Sequence, residues 1–183
     1  MRLIGSKASY ILMVLLVFAA VPARASFVQT SVTASNGIAV SVYSDNFANR
    51  YEYSAPIVNA NAIGSVFSTH AFALVGRVKQ GGVIGAIHVQ GGLTYNGKWL
   101  YYTSAVFKGG DPVDYTVTSR DVNCFTYSCG YSERFQINFS PTDVATHAEN
   151  GILAIQLRSL ASSEVILFEI PTTYFDAVNE VAK

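Results

Sequence analysis

The side chains that most often carry out catalysis or bind metal ions are few and scattered in this sequence. Its three histidines are His70, His88 and His147, and no two of them have metal-ligand spacing. His88 stands between apolar neighbours on a predicted strand, which favours a structural role. His147 falls among polar residues on a predicted helix, which predicts a solvated side chain. The sequence therefore predicts no bound metal ion and no other cofactor.

The only two cysteines, Cys124 and Cys129, are separated by four residues. In an oxidising compartment a pair this close forms a local disulfide, whereas a zinc site would need further ligands that the chain does not supply nearby. We expect the disulfide to shape a turn. In the chain-entropy model a loop this short adds only about 2 kcal/mol to the free energy of unfolding.

Catalytic motifs are missing from the sequence. It contains no Gly-x-Ser-x-Gly, no His-Glu-x-x-His and no glycine-rich phosphate loop followed by a helix. One carboxylate, Glu133, shares its parity with Phe135 and Ile137, so it is predicted to face the core with Arg120 as its partner. A structural ion pair is the favoured interpretation, and a perturbed catalytic acid is the alternative. A protein that is not an enzyme is therefore favoured.

Aromatic side chains are the best candidates for ligand binding. Exposed Trp and Tyr on a β-surface stack on sugar rings or fill protein interfaces, although most aromatic residues of a β-domain belong to its core and rim. The candidate binding residues are Trp99, Tyr101, Tyr102 and Tyr127. The corresponding partner is a carbohydrate or a protein.

The composition excludes two classes of protein. Half of the 183 residues (50%) are hydrophobic and 13% are charged, with twelve basic side chains balancing twelve acidic ones. Such a chain is not a disordered tail, because it has enough apolar surface to bury. It also lacks the excess of positive charge that neutralises phosphates, so no nucleic-acid partner is expected.

The first 25 residues have the three parts of a signal peptide. Arg2 and Lys7 form a positive segment, residues 10–21 form an apolar run, and Ala23-Arg24-Ala25 has the small-x-small form of a cleavage site. The apolar run is shorter than the ~20 residues that a membrane-spanning helix needs. We therefore predict cleavage before Ser26, a periplasmic or extracellular location, and contact with a membrane only during export.

Residues 26–183 are predicted to form a single domain. They hold nine basic and twelve acidic residues, and no repeat or linker divides them. Runs rich in Val, Ile, Phe, Tyr and Thr alternate with polar residues at period two, which indicates antiparallel strands. The predicted strands are residues 28–34, 38–43, 72–79, 83–95, 98–107, 114–122, 132–139, 152–158 and 164–170.

Turn and helix signals divide these strands. Asn96-Gly97 predicts a type I′ hairpin in which Gly91 and Gly92 lie beneath the rings of Tyr102 and Tyr101. With a second tight turn at residues 80–82, residues 72–107 would form a three-stranded meander. Short helices are predicted over residues 141–149, with Gly151 following as a stop signal, and over residues 174–181.

These features together predict an all-β fold, an antiparallel β-sandwich of about eight to nine strands with one or two short helices. The leader, the cysteine pair and the missing motifs favour an exported protein that binds a partner or serves as a structural or assembly component, without catalysis. One alternative is a small eight-stranded outer-membrane β-barrel, which the length and the Tyr-rich strands suit but the polar C-terminal tail does not. The other is a secreted hydrolase whose site is assembled by the fold.

Overall fold

The computed structural model describes residues 28–63, 69–126, 128–140 and 142–183. The predicted signal peptide with its cleavage site before Ser26, the candidate binding residue Tyr127, and the predicted first helical residue Pro141 lie outside these ranges. Within them, no helix is both long and apolar enough to cross a membrane.

Strands make up most of the described chain, and two short helices complete it. The strands are β1 (Val28–Thr33), β2 (Ala39–Asp45), β3 (Arg50–Ser54), β4 (Val58–Asn59), β5 (Asn61–Ile63), β6 (Thr69–Gln80), β7 (Val83–Ile84), β8 (His88–Asn96), β9 (Tyr102–Phe107), β10 (Asp114–Phe125), β11 (Ser128–Asn138), β12 (Ala148–Glu149), β13 (Ile152–Ser159) and β14 (Val165–Pro171). The helices are α1 (Asp143–His147) and α2 (Thr172–Val181).

The strands form two antiparallel sheets. The larger sheet has nine strands in the order β1-β2-β3-β6-β8-β11-β10, with the short strands β4 and β7 also paired to β6. The smaller sheet has five, in the order β12-β13-β14-β5, with β9 paired to β13. The apolar sides of both sheets join in one core, so the predicted antiparallel all-β sandwich is confirmed.

The alternation of side chains explains how each strand faces the core. Strand β11 lies between β8 and β10. Its Phe135 and Ile137 are buried, while Arg134, which points to the other face, is exposed. Along β13, Leu153, Ile155 and Leu157 are all fully buried. Strands of period two with one apolar parity produce this arrangement, because successive side chains point to opposite faces.

Helix α2 closes part of the core. Its Phe175, Ala177 and Val178 are buried beside β2, β3 and β6. On its exposed side, Glu180 accepts hydrogen bonds from the Ser35 backbone nitrogen at 2.9 Å and the Ser35 hydroxyl at 2.6 Å. These two bonds lower the pKa of the Glu180 carboxyl and fasten the helix to the turn that joins β1 to β2.

The predicted hairpin at Asn96-Gly97 is wrong. Strand β8 pairs with β6 along one edge and with β11 along the other, so it has no free edge for residues 98–107. Instead, the chain leaves the larger sheet after Asn96 and enters the smaller one as β9, which starts at Tyr102 and pairs with β13. The β6–β8 half of the predicted meander is present, and its third strand belongs to the other sheet.

The two glycines of β8 are covered by aromatic rings, but not by the predicted ones. A Cβ on Gly91 would lie 2.6 Å from Cζ of Phe135, and one on Gly92 would lie 3.0 Å from Cε1 of Phe72. Phe135 and Phe72 therefore take the places that we expected for Tyr102 and Tyr101. The reason is the same as for the hairpin, since the neighbours of β8 are β11 and β6.

The Asn-Gly turn of type I′ lies elsewhere in the chain. Asn150 and Gly151 have φ angles of 51° and 77°, and they join Glu149 of β12 to its partner Ile152 of β13. This turn draws residues 148–149 into the smaller sheet, so the predicted helix over residues 141–149 is reduced to α1. The expected tight turn at Gly81-Gly82 is confirmed, with φ angles of 57° and 84°.

Candidate functional site

The segment of residues 97–101, where the chain passes from one sheet to the other, lies against the ion pair predicted from the sequence. Arg120 of β10 and Glu133 of β11 are directly opposite each other in the strand register. Arg120 Nε donates to Glu133 Oε2 at 2.8 Å. The structure therefore brings this pair together with Trp99, Tyr101 and Tyr102, three of the candidate binding residues.

The carboxylate of Glu133 is almost completely buried, at 1% exposure, and protein donors satisfy both of its oxygens. Oε1 accepts hydrogen bonds from Tyr95 Oη at 2.5 Å and from the Tyr102 backbone nitrogen at 3.3 Å. Oε2 accepts the bond from Arg120. A buried carboxylate is tolerated only with such compensation, and here the donors come from three different strands.

Further hydrogen bonds hold the backbone of residues 100–102. The Leu100 nitrogen donates to Tyr95 Oη at 3.1 Å, and the Tyr102 carbonyl accepts from Tyr115 Oη and Arg120 Nη2, both at 3.3 Å. We refer to Glu133, Arg120, Tyr95, Tyr102 and Tyr115 as the Glu133 cluster. It joins the two sheets at their shared edge and fixes the segment that connects them.

The tyrosines of the Glu133 cluster stay protonated well above neutral pH. Burial, with the negative charges of Glu164 and Glu133, raises the pKa of the Tyr102 hydroxyl to about 12. Burial also raises the pKa of Tyr95, helped by its hydrogen bond to Glu133, and that of Tyr115. Tyr95 therefore remains a donor to the carboxylate. Tyr102 is fully buried, so its ring is out of reach of a ligand in this structure.

Trp99 and Tyr101 stand outside this cluster and form a group of rings with Tyr131. Trp99 stacks on Tyr101 with ring centroids 5.6 Å apart and meets Tyr131 edge-on at 4.8 Å. Tyr131 in turn stacks on Tyr95 at 5.8 Å, and the guanidinium carbon of Arg120 lies 5.3 Å from the centre of the Tyr101 ring. We call Trp99, Tyr101 and Tyr131 the aromatic patch.

The aromatic patch is partly exposed and has exposed aliphatic neighbours. Tyr101 is 40% exposed, and Trp99 and Tyr131 are half-buried. Leu160 is 77% exposed and lies next to Tyr101. Its backbone nitrogen donates a hydrogen bond to the Tyr101 carbonyl at 2.9 Å. Val122, at 50% exposure, is the register partner of Tyr131. The partly exposed guanidinium of Arg120 lies against one of these rings, that of Tyr101.

Tyr131 and Leu160 are members of this surface that our sequence reasoning did not select. Tyr131 shares its parity with Glu133, and this periodicity is a signal that could have placed it beside the predicted ion pair. Leu160 lies in the loop after β13, and only the tertiary fold brings it next to Tyr101. No sequence pattern distinguishes it.

The predicted disulfide between Cys124 and Cys129 is confirmed. The two cysteines face each other across the end of the β10–β11 hairpin, two residue pairs beyond Val122 and Tyr131. The bond therefore closes the end of the hairpin that carries one side of the aromatic patch. A disulfide is compatible with an oxidising compartment.

The histidines lie apart from the Glu133 cluster. His88 is buried on the outer side of the larger sheet, where the missing side chain of Gly76 leaves room for its ring. Burial lowers the pKa of His88, and the hydrogen bond with the Ala86 backbone and the charge of Glu52 oppose that shift only partly. His70 is exposed on β6. Among the described residues, no three or more His, Cys, Asp or Glu side chains form a group able to hold a metal ion.

The prediction of a solvated His147 is wrong. The imidazole lies flat on the ring of Phe107, with centroids 4.0 Å apart and an angle of 7° between the planes. Its Nδ1 is 3.9 Å from a carboxylate oxygen of Asp111. Because α1 ends at His147 and the chain turns at once into β12, the side chain packs against the smaller sheet.

Comparisons of the chain with protein-family models, with curated proteins and with solved structures found no match. The fold and the site therefore define the class of protein by themselves. It is an all-β sandwich with one disulfide, whose two sheets are joined by a hydrogen-bonded cluster around the buried carboxylate of Glu133, next to a partly exposed group of aromatic rings.

Proposed function

We propose that this is an exported binding protein without catalytic activity, and that the aromatic patch docks onto a protein partner. One observation carries the proposal: a buried carboxylate, Glu133, fixes the backbone of the same segment that places Trp99 and Tyr101 at the surface. Rings held in one arrangement lose little entropy when a partner binds, which is a requirement for affinity from a small surface.

The backbone at Tyr101 supports a functional role for this segment. Tyr101 has a φ angle of 52°, in the left-handed region that a bulky residue rarely adopts. Strain of this kind costs on the order of 1 kcal/mol and persists where surrounding contacts enforce it. Here the enforcing contacts are the hydrogen bonds of Leu100 and Tyr102 with the Glu133 cluster. The strained residue is also the most exposed ring of the patch.

A protein suits the aromatic patch better than a carbohydrate does. A sugar stacks on the free face of an aromatic ring, whereas these rings are in contact with one another and with Arg120. Beside the rings, a partner would meet exposed aliphatic side chains at Leu160 and Val122 and one partly exposed guanidinium. Aromatic residues and Arg, surrounded by apolar groups, are the composition of the energetic centres of protein interfaces.

The absence of catalysis in this proposal is supported by the state of Glu133. Both of its oxygens already accept hydrogen bonds from the protein, and the side chain is buried, so it has a structural task in place of a chemical one. Export is supported by the signal-peptide pattern of residues 1–25 and by the disulfide.

The proposal can be tested by crosslinking in the cells that produce the protein. A photo-crosslinking amino acid is placed at position 160, next to Tyr101, and in a second variant at position 83. Val83 is the matched control, because it is 72% exposed against 77% for Leu160 and begins β7 beside the last residue of β6, far from the aromatic patch. We expect a discrete protein adduct from position 160 and none from position 83.

Two results would contradict the proposed function. One is the same adducts, or no adduct, from both positions. The other concerns Trp99, which is the only tryptophan of the chain and reports on the patch by its fluorescence. A change of that fluorescence on adding soluble oligosaccharides, lost in Tyr101→Ala, would mean that the patch binds sugar and not protein.

A further inference from the structure

A groove with a volume of about 550 Å³ crosses the outer face of the smaller sheet. Its floor consists of Val106 of β9, Ala154 and Gln156 of β13, and Leu167 of β14. These residues face outward because the opposite parity of β13 is buried in the core. The methyl group of Ala154 makes the floor low at this point, between longer side chains. The volume is within the range of small-molecule binding sites.

Two turns form the walls of the groove. Both lie at the edge of β13 opposite β14: Lys108, Gly109 and Gly110 follow β9, and His147 and residues 149–150 flank β12. Lys108 Nζ and Glu149 Oε2 are 2.5 Å apart, so these two charges neutralise each other across one end. His147 is held by its stacking on Phe107. The walls are thus held by contacts of their own, which indicates that the groove is formed before any ligand arrives.

Two further charges at the groove remain without a counter-charge. Arg158 and Glu169 line it, and neither forms an ion pair in the described part of the chain. Arg158 Nε donates to Gln156 Oε1 at 3.2 Å, which leaves the rest of the guanidinium available. In the register Glu169 is opposite Ala154, four residues along β13 from Arg158. The positive and negative groups are therefore separated by about 13 Å of mostly apolar floor along the strands.

We propose that this groove binds a short peptide with free ends, three to four residues long. The terminal carboxylate pairs with Arg158, the terminal ammonium pairs with Glu169, and apolar side chains lie over Val106, Ala154 and Leu167. An extended peptide of that length spans about 10–13 Å, which matches the separation of the two charges. A neutral sugar or a simple anion would leave one or both of the charges unused.

This site is distinct from the aromatic patch. It shares no residue with Trp99, Tyr101 or Tyr131 and lies on an outer sheet face, whereas the patch lies where the chain crosses between the sheets. At one end the two surfaces are neighbours, because Arg158 of the groove is only two residues from Leu160, the exposed neighbour of Tyr101.

Isothermal titration calorimetry with the purified full domain tests the proposal. The probes are tri- and tetrapeptides of Ala and Leu in three forms, with free ends, with an acetylated N-terminus and with an amidated C-terminus. We expect binding of the free peptides at concentrations up to about 1 mM, and at least about tenfold weaker binding when either end is blocked.

Variants identify which residue receives which end. Arg158→Gln should weaken binding of the free peptide at least about tenfold and leave binding of the amidated peptide unaffected. Glu169→Gln should weaken binding of the free peptide to the same extent and leave binding of the acetylated peptide unaffected. Arg134→Gln, at an exposed position on the other sheet, is the matched control and should change nothing. The proposal is overturned if the free peptides do not bind, or if blocked and free peptides bind equally. Equal binding by both variants and the control would overturn it as well.

Discussion

Glu133 is hydrogen-bonded to residues of three other strands. Its two oxygens receive donors from β8, from the start of β9 and from β10, so one side chain ties both sheets and the segment between them. Removing its charge would leave Arg120 without a counter-ion and Tyr95 with a weaker acceptor. Because Arg120 is partly exposed, water can compensate for some of this loss.

We therefore expect Glu133→Gln to lower the free energy of unfolding by about 2 kcal/mol, below the 3–5 kcal/mol of a fully buried pair. The measurement is urea denaturation of the purified domain. Arg134→Gln, one residue further along β11 with its side chain on the outer face, is the control and should stay within about 0.5 kcal/mol of the parent. Equal effects of the two substitutions would show that the Glu133 cluster contributes nothing to stability.

His88 gives the fold a dependence on pH. Burial lowers its pKa below the unfolded value of 6.5, so between the two values the unfolded chain binds a proton that the folded protein does not. The free energy of unfolding should therefore fall as the pH drops below about 6.5. In His88→Gln the loss between about pH 7.5 and about pH 5.5 should be smaller than in the parent. His70→Gln, on the exposed face of β6, should leave that loss unchanged, and an identical pH profile for all three proteins would contradict the prediction.

For single residues, the sequence predicted the direction of a side chain where the period-two pattern of a strand applies. The parity shared by Glu133, Phe135 and Ile137 was sufficient to predict an inward carboxylate and its partner Arg120. Trp99 and Tyr101 could be named as candidates from their residue types. Leu160 could not, because its neighbour Tyr101 is distant in sequence and only the pairing of β9 with β13 brings the two together.

Among the elements, β8 contains a glycine with very close neighbours. It lies between β6 and β11, and its Gly91 accommodates the ring of Phe135. We expect Gly91→Ala to cost about 2 kcal/mol or more, because a Cβ there would collide with that ring and with the neighbouring backbone. The measurement is again urea denaturation.

Gly130 provides the matched control for that substitution. It lies in β11, and a Cβ there would find its nearest neighbour, Oδ1 of Asn96, at an ordinary 3.7 Å. We expect Gly130→Ala to change the stability by less than about 0.5 kcal/mol. If the two substitutions have the same effect, the close packing of Phe135 over β8 is not a determinant of stability.

The disulfide acts on one element only, the end of the β10–β11 hairpin. Replacing Cys124 and Cys129 together by Ser should lower the free energy of unfolding by about 2 kcal/mol, because the loop that the bond closes is short. The double variant should remain folded, as judged by circular dichroism and by Trp99 fluorescence. Complete unfolding at room temperature would mean that the disulfide organises far more than this hairpin.

The chain contains the dipeptide Asn-Gly three times, at residues 36–37, 96–97 and 150–151, and the last two sites show the limit of local reasoning about elements. At Asn150-Gly151 it forms the type I′ turn that its residue types favour. At Asn96-Gly97 it does not, because both edges of β8 are already paired with strands distant in sequence. The edges available to a strand are a tertiary property. Strands β3 to β5 were not predicted from the sequence, because they are short and are interrupted by polar residues and Pro56.

For the molecule as a whole, the period-two pattern was enough to predict two facing antiparallel sheets. The assignment of each strand to a sheet was not predictable, because a strand that is apolar on both faces fits either one. Strand β9 is such a case, since Tyr102 and Val106 are buried along with Ala105 and Phe107. The crossing from β8 to β9 creates the surface that we propose for binding, so the site depends on the feature of the fold that sequence reasoning missed.

The most direct test of the account is the affinity of two tyrosine variants for the purified protein identified by crosslinking at position 160. Tyr101 and Tyr43 are almost equally exposed, at 40% and 37%, but Tyr43 lies on β2, far from the aromatic patch. We predict that Tyr101→Ala weakens binding at least about tenfold, as the loss of a central interface side chain does, while Tyr43→Ala leaves the affinity within about twofold of the parent. Equal affinities of the two variants would contradict the claim that the aromatic patch is the binding surface.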